Sequence, residues 1–514
     1  MIENNWHKKE QPLFTMSGLG GGSFREVLSA LAQVAGFRSL RFDPGDTASA
    51  NPYLTRTPSS AGNRKTFTWS GWLKSNQDGS TRYLFGTNDH QLMFRSSTSA
   101  FQISDGSDIS LRTKRVFRDF SAWLHLVVSV DTTQAVSSDR VKIYVNGAQV
   151  TNFESGYNTY PGQNFDTNIN TTVQHSLGTF GTAFTAYGWR GYLADVNFLD
   201  GIAASPTAFG AYDSYGVWQR SEYDGSYGTN GFKLTFADTT IGKDGSGQGN
   251  DLTSNNITVT DVLLDFPSND TENTDSGAGG EVSGNYATMN PLQVKELTLS
   301  NGNLDIAAST GGYRLATGTI GMSSGKYYWE YTITGGADNH IIGVTNPQPN
   351  LSTFIGEFDL GWGYRSNGSK THDGSFTTGL TSAGVGDVIQ VAVDMTAGKI
   401  WFGVNNTYVG SGNPGTGANA AYSNLSGTVV PAVSMNGTMN ANINFGQRAF
   451  TYAAPTGYKA LNTTSLPTPT IADGSTAFEA ALYTGNGSSQ TISGLNLSPD
   501  LVWTKNRSSG DNHG

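Results

Sequence analysis

The chain is predicted to be all-β, with two consecutive jelly-roll or β-sandwich domains. Three observations predict this. First, Ser324–Glu330, Gly386–Asp394, Lys399–Asn405 and Asn444–Gln447 are short runs of alternating large apolar residues, each closed by Gly, Asp or Asn. That period of two puts one apolar row on one face of a strand. Second, the 514 residues include 65 Gly and 16 Pro, with Gly placed between the apolar alternations where tight turns need it. Third, 10 Trp, 22 Tyr and 26 Phe can fill several cores, while only 14% of residues are charged, against roughly 25% in an average globular protein. A surface of Ser, Thr, Asn and Gly suits an exterior β protein.

Composition also excludes classes. The net charge of −10 leaves no phosphate-binding stripe, so neither nucleic acid nor an anionic membrane surface is an expected partner. Without cysteine there is no disulfide and no thiolate metal site. Val27–Phe37, the longest mainly apolar run, is too short to span a bilayer, so no membrane insertion is expected. The polar start Met1–Glu10 does not read as a signal peptide. An exterior-type protein without an export signal is expected to leave the cell by lysis, as virus particles do.

In chain order, residues 1–37 read as an arm. Gln11–Met16 is extended, Ser17–Ser23 is Gly-rich, and Val27, Leu28, Leu31 and Val34 permit one short helix over Phe24–Ala35. It buries too little to fold alone. It reads either as a disordered tail or as a docking peptide that orders on a larger assembly.

Residues 38–236 are β-rich. Thr66–Leu73 alternates Phe67, Trp69 and Gly71 against Thr and Ser, then turns Trp72 to the other face. Trp123–Val130 is an apolar strand. Arg140–Gly147 is a strand running into an Asn-Gly turn, the strongest short hairpin signal. Tyr187–Phe198 is a further strand pair. This region resembles the LamG, or concanavalin A-like, family through Leu40–Phe42, Tyr53–Leu54, Phe67–Trp72, Trp123–Leu126, Val141–Gly147 and Gly191–Val196. It looks in particular like the LamG modules of bacteriophage tail and virion proteins, a likeness extended by Asn197–Gly201, Phe209–Gly210 and Gly228–Phe236. The loop Asp43–Pro52 is longer than the tight Asp-Gly turn common in that family, which unsettles any ligand geometry it carries.

Residues 237–290 are polar and rich in Gly, Asn, Asp and Ser, and read as a linker or long surface loop. Residues 291–462 resemble a SPRY domain, through the four runs above together with Ile341–Val344, Gly361–Tyr364, Val430–Ala432 and Pro455–Leu461. A LamG module followed by a SPRY module looks like the layout of virion proteins of marine-type phages. Residues 467–514 read as the start of a further module, with short strands at Phe478–Gly485, Gln490–Gly494 and Pro499–Trp503.

Catalytic chemistry is sparse. Concanavalin A-like folds include glycoside hydrolases, which need two carboxylates flanking one bond. The nearest match to a Glu-x-Asp-x-x-Glu strand is Glu357 and Asp359, but position 362 is Trp. There is no Gly-x-Ser-x-Gly elbow and no His-Glu-x-x-His pair. Gly18–Gly22 precedes no βαβ unit. His125 sits inside an apolar strand and reads as a core residue, and His372–Gly374 as a turn. The chain is not expected to be an enzyme. Calcium is the one cofactor the LamG resemblance allows, at rim carboxylates; Asp43, Asp46, Asp105, Asp108 and Asp131 lie on expected loops, without a twelve-residue calcium loop to support them.

Glycan binding needs exposed rings beside amides and acids. Trp362 and Tyr364 with Asn367, His372 and Asp373 are one candidate set, and Tyr157, Tyr160 and Asn164 another. The competing reading of these rings is packing. SPRY resemblance places recognition on loops at one end of the sandwich, including residues 346–375. The expected function is a virion exterior protein, a tail fibre or spike subunit made in the host cytoplasm. Residues 1–37 would dock on other virion proteins, and sandwich loops would bind a host surface glycan or protein. The family likeness implies a homo-oligomer, a trimer. The alternatives are a polysaccharide depolymerase and a non-viral adhesin or SPRY scaffold.

Overall fold

The computed structural model describes residues 15–16, 38–43, 51–76, 81–95, 99–181, 187–238, 240–269, 274–309, 311–336, 338–471 and 473–506. Apart from Thr15–Met16, the arm 1–37 lies outside them, as does Asp46. Among the described residues the regular elements are strands and short 3₁₀ turns, and no helix is long and apolar enough to cross a membrane.

Two sheets form the first sandwich. One runs Ala148–Val150, Val141–Val145, Leu124–Asp131, Thr66–Ser75, Gly191–Asp200, Ser39–Phe42, Val262–Leu263, with Phe232–Leu234 also paired to Gly191–Asp200. The other runs Phe153–Thr159, Ser110–Val116, Ala100–Ser104, Gln91–Phe94, Arg82–Gly86, His175–Leu177, Tyr53–Arg56, Thr253–Asn255. Alternation along Thr66–Ser75 explains the arrangement. Phe67, Trp69 and Leu73 enter the core between the sheets, while Thr68, Ser70, Trp72 and Lys74 lie on the outer face, which later chain covers. The Asn146–Gly147 turn closes its hairpin with both residues at positive φ (48° and 78°), the geometry a two-residue turn demands.

Gly71 is required by packing. A Cβ there would meet the Trp69 ring at 2.8 Å. Gly71→Ala is expected to cost about 1–3 kcal/mol by forcing that buried ring off its position, read as a lower urea midpoint at unchanged slope.

His125 is buried as expected, and its setting is specific. Its ring lies 4.8 Å from Trp72 and 6.1 Å from Trp218, near-parallel to both. The Trp218 Nε1–H donates to Nδ1 (3.0 Å), so Nε2 carries the proton and donates to Ser70 Oγ (2.9 Å). Burial pushes its pKa down to about 3.

The second sandwich repeats the plan. One sheet runs Met289–Val294, Arg314–Gly318, Val430–Met435, His340–Thr345, Gly361–Arg365, Ser369–His372, Ser375–Thr377. The other runs Thr298–Ser300, Asp305–Ala308, Met439–Asn444, Lys326–Gly335, Val388–Asp394, Lys399–Val404, Thr407–Tyr408. Tyr327, Trp329, Tyr331, Val391, Phe402 and Ile443 form the centre of its core.

Residues 237–290, expected to be a linker, are built into both sandwiches. Thr253–Asn255 adds to Tyr53–Arg56, and Val262–Leu263 adds to Ser39–Leu40. Leu263 and Phe266 then pack with Trp72, Trp123, Tyr192 and Trp218 of the first sandwich. Leu264 and Tyr286 pack with Tyr328, Trp401 and Phe450 of the second. The segment is a strap whose neighbouring side chains point to opposite sandwiches. Its polar composition hides this, because a few buried residues suffice to hold it.

The seam around the strap is polar and buried. Lys74 Nζ donates to Asp265 Oδ2 (2.9 Å), Asn285 Oδ1 (2.8 Å) and the Tyr286 carbonyl (2.8 Å). Asp265 also accepts from Trp123 Nε1 (3.1 Å) and the Tyr286 N–H (3.3 Å). Asn303 Nδ2 donates to the Asn76 carbonyl and the Tyr192 hydroxyl to the Gly302 carbonyl, so the second sandwich also touches the first directly.

The strands expected in the C-terminal segment are corrected. Residues 473–506 contain one 3₁₀ turn, Gly474–Thr476, and none of the three expected strands. Phe478, Tyr483, Leu501 and Val502 are exposed. Alternating apolar residues make a strand only where a neighbouring edge supplies hydrogen bonds and a face to cover, and among the described residues no sheet edge pairs with this segment.

Candidate functional site

The expected glycan set on Gly361–Arg365 is mostly interior. Trp362 and Tyr364 are 2% and 0% exposed and belong to the core. In this strand both large residues fall on one face and Gly361, Gly363 and Arg365 on the other, so alternation buries the pair. Trp362 Nε1 donates to Asn424 Oδ1 (2.9 Å), and the Tyr364 hydroxyl donates to the Thr381 carbonyl. His372 stacks on Trp362 at 5.1 Å. Asn424 Nδ2 donates to its Nε2 (3.0 Å), so Nδ1 carries the proton and donates to the Gly361 carbonyl (2.9 Å). Asn367 and Asp373 are exposed, but without the rings they were to accompany.

In the first sandwich, Tyr157 and Asn164 are exposed and Tyr160 is half-buried against Phe153. The Arg112 guanidinium lies 3.4 Å from the Tyr157 ring centre, so one face of that ring is already taken. The calcium candidates do not converge. Asp43 accepts from the Gly302 N–H at the seam, where burial raises its pKa to about 6. Asp105 Oδ1 accepts three N–H groups of its own turn, from Ser107, Asp108 and Ile109, and Asp108 accepts from Ser107 Oγ. Asp131 holds Thr133 and Gln134. Among the described residues, no group of three or more His, Asp or Glu side chains is arranged to hold a metal ion.

A cluster of exposed apolar side chains sits elsewhere, beside the sheet that ends in Ser375–Thr377. Phe358 is 57% exposed, Leu360 44% and Phe376 42%. Phe354 lies between Tyr313 (5.2 Å) and Phe376 (5.4 Å), and the Arg365 guanidinium lies 6.0 Å from both the Tyr313 and Phe376 rings. Beside them Asn346, Gln348 and Asn350 line a small, shallow cleft of about 80 Å³, open to solvent on one side, together with Phe354, Phe358 and Leu360.

The loop that carries these groups is held in place. Ile355 is 1% exposed, and its N–H donates to Ser434 Oγ (3.1 Å). The Gly374 N–H donates to the Gly356 carbonyl (2.8 Å), and the Asn346 N–H to that of Leu360 (3.0 Å). Aromatic faces beside amide donors and acceptors, on a fixed loop, can stack on a sugar ring or an apolar side chain and orient its polar groups. The sequence signal was available: Phe354, Phe358 and Leu360 are large apolar residues among Gly, Asp and Ser, outside any strand alternation.

Comparison with known families matches this architecture. Residues 48–206 match the concanavalin A-like lectin/glucanases superfamily, and residues 326–448 match the SPRY domain family. Residues 473–514 match a domain of unknown function. The chain thus carries a concanavalin A-like β-sandwich followed by a SPRY β-sandwich. Similar solved structures include the SPRY domain of human HERC1, at 23% identity over 30% of this chain and 96% of that one, with a TM-score of 0.26. They also include stonustoxin, at 19% identity over 31% of this chain and 27% of that one, and the PSpry domain of TRIM65, at 13% identity over 31% and 92%, each with a TM-score of 0.26.

Proposed function

We propose that this protein is a recognition protein whose second sandwich binds a surface glycan or protein through the Phe354, Phe358, Leu360 and Phe376 rim. The observation that carries this reading is the group of exposed rings beside three amides on an anchored loop. Such a rim offers stacking faces and hydrogen-bonding amides, which supports binding. The likeness to LamG and SPRY modules of phage virion proteins extends the proposal to an exterior fibre or spike subunit. In that setting residues 1–37 fix the protein to the particle, and several copies, three in a trimeric fibre, convert weak single contacts into avidity.

The test is binding of the full chain to host envelope fractions and to a panel of surface glycans. Phe358→Ser with Phe376→Ser is expected to weaken binding by about 1–3 kcal/mol, roughly ten- to a hundred-fold. The melting temperature is expected to fall by only a few degrees, because Phe358 is exposed and Phe376 loses just its contacts with Phe354 and Arg365. Equal binding by the variant counts against the rim. Release of reducing ends from a capsule polysaccharide counts for a depolymerase.

A further inference from the structure

The Lys74 cluster contains more than an ion pair. Lys74 Nζ touches both a carboxylate and a carboxamide at hydrogen-bond distance, 2.9 Å from Asp265 Oδ2 and 2.8 Å from Asn285 Oδ1. The three side chains are sealed: Lys74 is 0% exposed, Asp265 1% and Asn285 7%. Trp123, Tyr192 and Tyr286 surround them, with the Tyr192 ring centre 5.8 Å from Nζ. The amide cannot turn over, because Asn285 Nδ2 donates to the Ser121 carbonyl (2.8 Å) while Oδ1 accepts from Lys74. An amine, a fixed carboxamide and a proton acceptor are thus held together in a site without solvent.

We propose that the folded chain joins Lys74 to Asn285 by an isopeptide bond, with Asp265 as the proton carrier. Burial raises the pKa of Asp265, so its carboxylate can take up a proton along the Lys74–Asp265 hydrogen bond. The freed Nζ lone pair attacks Asn285 Cγ, and the Cγ–Oδ1 π pair moves onto Oδ1. As the carbonyl re-forms, the Cγ–Nδ2 bond breaks and Nδ2 leaves. Nζ sheds two protons in all. One goes to Nδ2, which departs as ammonia. The other, held by Asp265, leaves with it as ammonium and restores the carboxylate. No oxidant, reductant or cofactor is consumed. Positioning supplies most of the rate, since a bimolecular aminolysis becomes intramolecular between an amine and a carboxamide already at hydrogen-bond distance. The bond would close a covalent loop across the 211-residue separation of Lys74 and Asn285 and tie the first sandwich to the start of the second.

Intact mass spectrometry of the purified full chain tests this, with a tryptic map to place the link. The expected result is a mass one ammonia below that of the sequence, with Lys74 uncleaved and joined to the peptide holding Asn285. Asp265→Asn and Asn285→Ala are expected to show their full sequence masses. Asn285→Asp keeps the shape and offers a carboxyl, so it is expected to lose one water instead, which a merely structural Asn285 would not produce. A wild-type chain at full sequence mass, cleaved normally at Lys74, overturns the proposal. Loss of water from the wild type also overturns it, because the acceptor would then be Asp265.

Discussion

Lys74→Met is expected to destabilise the protein by at least about 3–5 kcal/mol, because it strands a carboxylate in the seam between the sandwiches and also removes the proposed Lys74–Asn285 bond. Asp265 is 1% exposed, and without Lys74 it keeps only the Trp123 Nε1–H and the Tyr286 N–H as donors. Asn285 Oδ1 and the Tyr286 carbonyl lose the same partner. The effect should appear as a lower urea midpoint for the joint unfolding of both sandwiches. Asp265→Asn in the Lys74→Met background is expected to recover part of the loss. It removes the unpaired charge while its amide oxygen still accepts from Trp123 and Tyr286. A double variant no more stable than Lys74→Met would show that the cost is packing and not buried charge.

Acid is expected to unfold the protein earlier than its carboxylates alone would dictate. Burial lowers the pKa of His125 from 6.5 to about 3 and that of His175 from 6.5 to about 4. His175 is held neutral in the same way as His125: Nε2 accepts from the Asn170 N–H, so Nδ1 donates to the Val173 carbonyl. A depressed folded-state pKa means the contribution is complete above 6.5 and lost as pH falls below it. Each ring then removes about 1.4 kcal/mol per pH unit until its own pKa is reached. Asp43 works the other way, since burial raises its pKa from 3.8 to about 6 and its contribution grows as pH falls between those values. The net loss from these three groups at pH 4 relative to pH 7 is about 3–4 kcal/mol. His125→Phe keeps a ring between Trp72 and Trp218 and removes the proton. It is expected to flatten the slope of stability against pH below 6.5 by about one proton, whatever its cost at pH 7. An unchanged slope would mean that His125 is not buried neutral.

The fold was legible because strand alternation is a local signal. Phe67, Trp69 and Leu73 announce a core face without reference to the rest of the chain, and the Asn146–Gly147 turn fixes a hairpin by itself. The strap was not legible. Leu263, Leu264 and Phe266 gain meaning only from two surfaces more than a hundred residues apart in sequence, and a polar background conceals them. The same limit explains the site. Trp362 and Tyr364 have the residue types of a sugar platform, but only the sheet decides which face of a strand is covered. Phe358 and Phe376 stand out once the core has claimed its own aromatics. The three C-terminal strands failed for the complementary reason: the alternation is present, and the partner edge is not.

Hydrogen-exchange footprinting of the full chain with its bound glycan or protein target tests the recognition claim most directly. The account predicts that target binding slows exchange in the 346–361 loop and in Ser375–Thr377, and leaves the buried strands of both sandwiches as they were. Protection confined to the first sandwich, around Tyr157 and Asn164, or turnover of the target in place of stable binding, would contradict it.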